Sequence, residues 1–196
     1  MLAFMLAGKC YAKELASQPG LSPQLQKCLK RAEDLPDMAA AEAATWIKNK
    51  GGNEAHLCRA FAQANRGMHE DAAREFWALA SFYDKRDPGR ALLMHNLSGQ
   101  EFIEAKDSKN AEQQFNVALQ ISPNNADSLI GHAKVLMASE HYWDALEDLN
   151  RALKVKPKES EALRQRGLVW AHLGNDKNAQ EDFDNAAALQ SEQANK

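Results

Sequence analysis

Six histidines are the residues of this sequence that could bind a metal ion or carry a proton in catalysis. They are His56, His69, His95, His132, His141 and His172. Metal sites need ligands at set spacings, and no two of these histidines form the HExxH pair of a zinc hydrolase. His69, Glu70 and Asp71 are consecutive, and we interpret them as a surface cluster in a turn between helices. The sequence therefore predicts no metal site.

Other catalytic patterns are missing too. The sequence contains no GxGxxG turn, no phosphate-binding loop and no serine placed at a strand-to-helix elbow. Carboxylate pairs such as Asp182 and Asp184 are interpreted as solvated groups on a charged helix face. We therefore predict that the protein is not an enzyme, has no catalytic residue and needs no cofactor.

The charge balance argues against some partners. The 196 residues carry a formal net charge of −3, and a polyanion such as nucleic acid binds basic surfaces, so nucleic acid is not the expected ligand. No run of about 18 apolar residues occurs, so no helix is predicted to span a membrane.

The first twelve residues, MLAFMLAGKCYA, are apolar and end in small residues before the charged segment KELASQPG. This pattern resembles the end of a secretory signal cleaved after Ala12, which favours an exported, periplasmic protein. A basic leading segment is absent and the apolar run is short, so a cytoplasmic protein with a short N-terminal helix is the alternative. Cys28 and Cys58 fit either a disulfide of an exported protein or two buried thiols in neighbouring helices.

Two segments of the chain, NAEQQFNVALQISPNN and DALEDLNRALKVKPKE, repeat one pattern 34 residues apart, and a third copy follows at the same interval. The shared positions are a small residue at Gly99, Ala133 and Gly167, an alanine at Ala111, Ala145 and Ala179, and a large residue at Phe115, Leu149 and Phe183. Small residues at fixed points let two antiparallel helices approach closely, and the large residue fills the remaining gap. The repeat therefore predicts stacked helical hairpins, each of which buries its face against the next.

A fourth copy lies upstream, with Ala72 and Phe76 at the alanine and large positions, and an insertion separates it from the next copy. The inserted residues fall around the segment DKRDPGR. Asp87 can cap a helix there and Pro88 suits its first turn, so the insertion predicts a longer helix over about 88–105.

A helix–turn–helix unit of this length, with small, alanine, large and proline positions in this order, resembles the tetratricopeptide repeat. The resemblance implies an all-α solenoid of antiparallel helical hairpins that forms a right-handed superhelix. Four repeats are expected, at 53–87, 88–125, 126–159 and 160–193. Residues 21–52, divided at Leu35-Pro36, predict a degenerate capping hairpin, and residues 1–20 are the signal-like segment or a short helix.

In this family the first helix of each repeat lines a concave groove that binds peptides or protein segments. Carried over to this chain, the groove consists of Leu57, Phe61, Asn65, Asn96, Gln100, Ile103, Lys134, Met137, Arg164, Leu168 and His172. Apolar and polar side chains are interleaved in this set, which suits an amphipathic helix or an extended segment. The clamp that some members use for a terminal carboxylate is not expected, because Leu57 and Phe61 occupy its places in the first repeat.

Lys134 and Arg164 lie at groove positions on adjacent repeats, about 10 Å apart if the helices stack at ordinary distances. We interpret them as an anchor for an acidic group, and as an exposed pair they are expected to contribute little to folding.

The leading hypothesis for function is a non-catalytic scaffold or adaptor that binds a protein segment. The alternatives are an accessory subunit of a cell-envelope enzyme system and a structural unit that self-associates through its terminal repeats. Leu57 and Leu168 could instead pack between helices with nothing bound.

Overall fold

The computed structural model of the chain describes Leu15 and residues 21–194. Within residues 21–194 there are ten helices and no strand: α1 (Pro23–Asp34), α2 (Pro36–Lys48), α3 (Gly52–Asn65), α4 (His69–Tyr83), α5 (Pro88–Glu104), α6 (Ser108–Ile121), α7 (Ala126–Ala138), α8 (Tyr142–Val155), α9 (Ser160–His172) and α10 (Asp176–Ala194). The predicted all-α class is confirmed. The signal-like stretch 1–12 lies outside the described residues. No described helix combines the length and the hydropathy needed to cross a bilayer.

Side-chain caps set where several helices begin. Asp87 accepts a hydrogen bond from the Arg90 amide at 3.0 Å, and α5 starts at the proline that follows Asp87. Asn125 accepts from the Ser128 amide at 2.8 Å and caps α7 in the same way. Each cap satisfies an amide that has no partner inside its helix. The helix predicted over 88–105 is therefore confirmed.

The repeat is visible in the backbone as well as in the sequence. Two residues after α3, α5, α7 and α9 end, the chain adopts a positive φ at Gly67 (75°), Lys106 (61°), Glu140 (61°) and Gly174 (75°). This left-handed conformation ends a helix and turns the chain towards the next one. Glycine adopts it freely, whereas Lys106 and Glu140 do so at some cost in free energy.

The chain divides into two compact units, Met1–Lys106 (unit 1) and Asp107–Lys196 (unit 2). The boundary falls inside the predicted repeat 88–125, because α5 packs on α4 and α6 packs on α7. The core of unit 1 contains Leu29 and Phe76, whose side chains have no exposed surface. Each unit is described by itself below.

A disulfide joins α1 to α3 in unit 1. It links Cys28 to Cys58, whose Cα atoms are 5.9 Å apart, a separation typical of such bonds. Both cysteines are buried, with 4% and 0% of their surface exposed. The bond therefore ties the hairpin of α1 and α2 to the helix that follows it.

Close helix packing in unit 2 follows the predicted small and large positions. A Cβ atom placed on Gly167 of α9 would lie 2.6 Å from the Phe183 ring and 3.1 Å from the Ala179 carbonyl oxygen, both on α10. The glycine is needed for this approach, as the alternation of small and large residues predicted. Leu129 and Leu149, both fully buried, continue the core across α7 and α8.

Candidate partner-binding surfaces

Phe61, one of the predicted groove residues in unit 1, lies in the core. Its side chain is 2% exposed, and its ring packs edge-on against that of Phe76 with the centroids 5.1 Å apart. Such aromatic pairs are typical of packed interiors. This placement corrects the predicted set, because α4 covers the side of α3 on which Phe61 lies.

Leu57 and Asn65 of α3 are half-buried where helices pack against them. Asn65 Nδ2 donates a hydrogen bond to the Ala32 carbonyl oxygen of α1 at 3.0 Å. Ser22, the cap of α1, bonds to Glu54 in the first turn of α3. Leu57 packs against the core of unit 1. Both predicted groove residues therefore help to hold the N-terminal hairpin in place.

The remaining predicted residues of unit 1 lie on α5. Asn96, Gln100 and Ile103 are all half-buried. Gln100 Nε2 donates to Glu104 Oε1 one turn further along the helix, at 3.1 Å. These three predicted groove residues lie outside the core of unit 1.

Unit 2 brings Lys134 and Arg164 together around one carboxylate. Lys134 Nζ on α7 lies 2.7 Å from Glu161 Oε1 on α9. Arg164 donates from Nε to Glu161 Oε2 at 2.9 Å and from Nη2 to Oε1 at 3.0 Å. Gln165 Nε2 adds another hydrogen bond at 2.9 Å. Glu161 therefore bridges the first helices of two successive hairpins.

Burial and pairing act in opposite directions on Glu161. Burial raises the pKa of Glu161, but Lys134, Gln165 and Arg164 together outweigh it, so the pKa lies below the ordinary 4.5. The carboxylate is thus ionised at neutral pH and offsets one of the two cations. The Lys134 side chain is only 14% exposed, so the expectation of an exposed pair is wrong. The positions along the helices were enough to predict Lys134 and Arg164 as site residues. They did not reveal Glu161 as the shared counter-ion of the two.

The other predicted residues of unit 2 lie on the same two helices. Met137 and Leu168 are half-buried, and His172 is exposed at the end of α9. The His172 ring stacks on that of Tyr142 from α8, with centroids 4.6 Å apart and planes inclined by 11°. Spacings of three and four residues place the side chains of each helix on one face. We call this set the unit 2 inner surface: Lys134, Met137, Arg164, Leu168 and His172.

A set of ion pairs recurs at a constant spacing and was not predicted. Arg59 pairs with Glu75 at 2.8 Å, His132 with Asp148 at 2.6 Å, and Arg166 with Asp182 at 2.7 Å. Each basic residue lies on the first helix of a hairpin, 16 residues before an acid on the second helix. In the copy between the first two pairs, the matching positions hold the neutral Ser98 and Gln114. This 16-residue offset within a 34-residue period is the sequence signal that could have revealed the pairs.

Two sequence interpretations change with these contacts. Asp182, expected to be solvated, is 3% exposed and accepts two hydrogen bonds from Arg166 at 2.7 Å, which raise the pKa of that guanidinium. His69, expected in a turn, is the first residue of α4, and its Nδ1 donates to Glu101 Oε2 on α5 at 2.8 Å. This hydrogen bond raises the pKa of His69 above 6.5.

Comparison with curated proteins supports the resemblance to tetratricopeptide repeats. The chain is 34% identical over 100 residues to "Tetratricopeptide repeat protein 36" of Danio rerio, and 33% identical over 98 residues to the protein of that name from Xenopus tropicalis. These alignments cover 49% and 48% of this chain, and 54% and 48% of the relatives. The chain therefore spans about half the length of the relatives it matches. No protein-family model matches it.

Solved structures share the fold over nearly the whole chain. "MamA 41-end from Desulfovibrio magneticus RS-1" superposes with a TM-score of 0.70 at 18% identity, over 95% of this chain and 97% of that one. "YrrB: a TPR protein with an unusual peptide-binding site" gives a TM-score of 0.62 at 15% identity, over 94% and 93%. At these identities the likeness establishes the fold and nothing about ligands.

Proposed function

Because the chain is an array of tetratricopeptide repeats, we propose that it is a non-catalytic interaction module that binds a peptide or protein segment on the unit 2 inner surface. The observation that carries this proposal is the arrangement of α7 and α9. These adjacent first helices present Met137 and Leu168, which are apolar and only half-buried, beside a charged cluster. A neighbour of the same fold, YrrB, is described as having a peptide-binding site.

The charges of the surface define the segment that would fit. Lys134 and Arg164 carry two positive charges, and Glu161 offsets one of them. Two cations beside apolar side chains suit a segment that places an acidic residue next to an apolar one. Half-buried apolar side chains add affinity when a ligand covers them, because the covered area leaves water.

Selection from a random peptide library tests the proposal. The purified protein is the target, and the variant Leu168→Gln with His172→Ala is the counter-target. We expect peptides that bind the wild type and lose about tenfold or more in affinity for the variant, because they lose an apolar contact and a ring contact. Val155→Gln is a matched control, since Val155 is an aliphatic residue, 50% exposed, on the second helix α8.

The control should bind the selected peptides as the wild type does. A library that yields no binder, or binders with equal affinity for the wild type and the counter-target, would refute the assignment of this surface. Circular dichroism of each variant checks that lost binding does not reflect lost folding.

A further inference from the structure

The side of α8 that faces away from the core of unit 2 carries a regular stripe of exposed side chains. Trp143, Glu147, Asn150 and Lys154 follow one another at spacings of four, three and four residues, so they share one face of the helix. All four are exposed, and Trp143 is 68% exposed. A tryptophan this open to water is unusual, and tryptophan is enriched among the residues that contribute most to interfaces. We call this set the α8 stripe.

The stripe borders a shallow groove of about 360 Å³, lined by its own four residues together with Leu146 and Arg151. Its apolar residues, Trp143 and Leu146, therefore lie at one end, and its basic residues, Arg151 and Lys154, lie at the other. Neither Glu147 nor Lys154 forms an ion pair with any residue that the structure describes. An exposed aromatic ring followed on the same helix face by two charges that form no ion pair is a surface on which another molecule can bind.

Charge is segregated along α8. The first half of the exposed side carries Asp144 and Glu147, and the second half carries Lys154 beside the half-buried Arg151, which pairs with Asp148 of the same helix. A helix with one acidic and one basic end is complementary to a second copy of itself that runs in the opposite direction. Opposite directions also set the helix dipoles favourably against each other.

We propose that a second copy of this chain docks on the α8 stripe, with the two α8 helices antiparallel about a two-fold axis. Such an interface is isologous, so every contact occurs twice. Spacings of four and three residues are those at which helix seams interdigitate. The α8 stripe lies on a different helix from the proposed peptide site, so the dimer does not depend on that site.

The spacing fixes one register. Trp143 of one copy faces Lys154 of the other, and Glu147 faces Asn150, so four layers form around an axis between residues 148 and 149. A lysine over an indole ring makes a cation–π contact. Asn150 Oδ1 already accepts a hydrogen bond from Arg166 at 2.9 Å, which leaves its amide hydrogens to donate to Glu147 of the second copy.

A single pair of helices buries less than a standard protein interface, so we expect a weak dimer. Sedimentation equilibrium from about 1 μM to about 1 mM covers the relevant range of dissociation constants. The wild type should shift from monomer to dimer across this range. Trp143→Ala should raise the dissociation constant about tenfold or more, whereas Phe82→Ala, which removes another exposed aromatic ring, should leave it unchanged.

A charge swap tests the register. Glu147→Lys alone would set a cation near Lys154 of the other copy, and Lys154→Glu alone would set an anion near its Glu147, so each should weaken the dimer. The double variant Glu147→Lys with Lys154→Glu restores opposite charges one turn apart across the axis but sets a carboxylate in place of the lysine over Trp143, so it should recover only part of the lost affinity. Lys109→Glu, an exposed change on α6, is the control.

A protein that stays monomeric at all these concentrations overturns the proposal, even if another protein binds the stripe. A dimer that is indifferent to Trp143→Ala and to both single charge reversals also overturns it. All substituted side chains are exposed, so the thermal midpoints should match that of the wild type.

Discussion

Several carboxylates in this protein face a basic side chain on a neighbouring helix. Histidine supplies the partner at His56, His69, His95 and His132, with nitrogen–oxygen distances of 2.5 Å, 2.8 Å, 3.0 Å and 2.6 Å. A histidine completes an ion pair only when its ring is protonated, and this change falls near neutral pH. At His69 the contact with Glu101 raises the pKa of the ring, so this contact between helices depends on pH.

At the residue scale, His69→Gln should weaken the pH dependence of stability. The hydrogen bond to Glu101 raises the pKa of His69 above 6.5 in the folded chain, so folding favours the protonated ring. Its contribution is fully present below pH 6.5 and is lost as the pH rises through the raised folded-state pKa. The free energy of unfolding, measured with urea from about pH 5.5 to about pH 8.5, should fall less across this window in the variant.

His141→Gln provides the matched control, because His141 is exposed at the start of α8. This variant should keep the wild-type pH profile. If His69→Gln keeps that profile as well, the contact with Glu101 does not favour the charged ring.

At the element scale, the approach of α9 and α10 depends on the missing side chain of Gly167. A methyl group there would lie 2.6 Å from the Phe183 ring and 3.1 Å from a backbone oxygen that cannot rotate away. Gly167→Ala should therefore lower the free energy of unfolding by about 1–3 kcal/mol, as overpacking does in well-packed cores. Urea unfolding followed by circular dichroism measures the change.

Gly89→Ala is the matched control, because the added methyl group has space at this position. A Cβ on Gly89 in the first turn of α5 would meet only Asp87 Oδ1, at 3.5 Å. Alanine favours helix over glycine by up to about 1 kcal/mol, so this variant should be neutral or slightly more stable. Equal losses in both variants would mean that the close approach of α9 and α10 is not the reason why Gly167→Ala destabilises the protein.

The helices were predictable from sequence where short-range chemistry decides them. Asp87 and Pro88 mark the start of α5, and Leu35-Pro36 separates α1 from α2, because caps and prolines act within a few residues. Gly167 and Phe183 were predictable because the 34-residue period reports their packing. In each case the residue types at a few positions are enough to predict the feature.

The candidate site was less predictable because burial depends on which helices cover a position. Phe61 and Leu168 occupy the same place in the first helices of their repeats. Nevertheless, Phe61 lies in the core and Leu168 is half-exposed. Glu161 and Asp182 look like solvated charges on amphipathic helices until the facing helix brings Lys134 and Arg166 against them. A single sequence shows which residues share one face of a helix. It does not show how far that face lies from an oppositely charged residue on another helix.

At the scale of the whole molecule, each unit has its own core and its own pair of tryptophans. Trp46 and Trp77 lie in unit 1, and Trp143 and Trp170 lie in unit 2. The disulfide lies in unit 1 alone, joining residues 30 positions apart. Fluorescence can thus report on one unit at a time, while reduction perturbs only one of them. In repeat proteins, stability is roughly a sum of local terms, so a local perturbation need not reach the whole array.

Reduction should therefore lower the stability that the unit 1 tryptophans report and leave the unit 2 signal unchanged. Opening the disulfide should cost unit 1 about 2–4 kcal/mol, since the unfolded chain regains the freedom of the closed loop. One reporter carries Trp143→Phe and Trp170→Phe, and the other carries Trp46→Phe and Trp77→Phe, both with Cys10→Ser to remove the third thiol. Urea midpoints with and without dithiothreitol give the two shifts, and adding Cys28→Ala with Cys58→Ala should abolish the response to reductant. Equal shifts in both reporters would mean that the two cores unfold as one cooperative body, whereas a shift in unit 1 alone would make the disulfide a local fastening of the N-terminal hairpin.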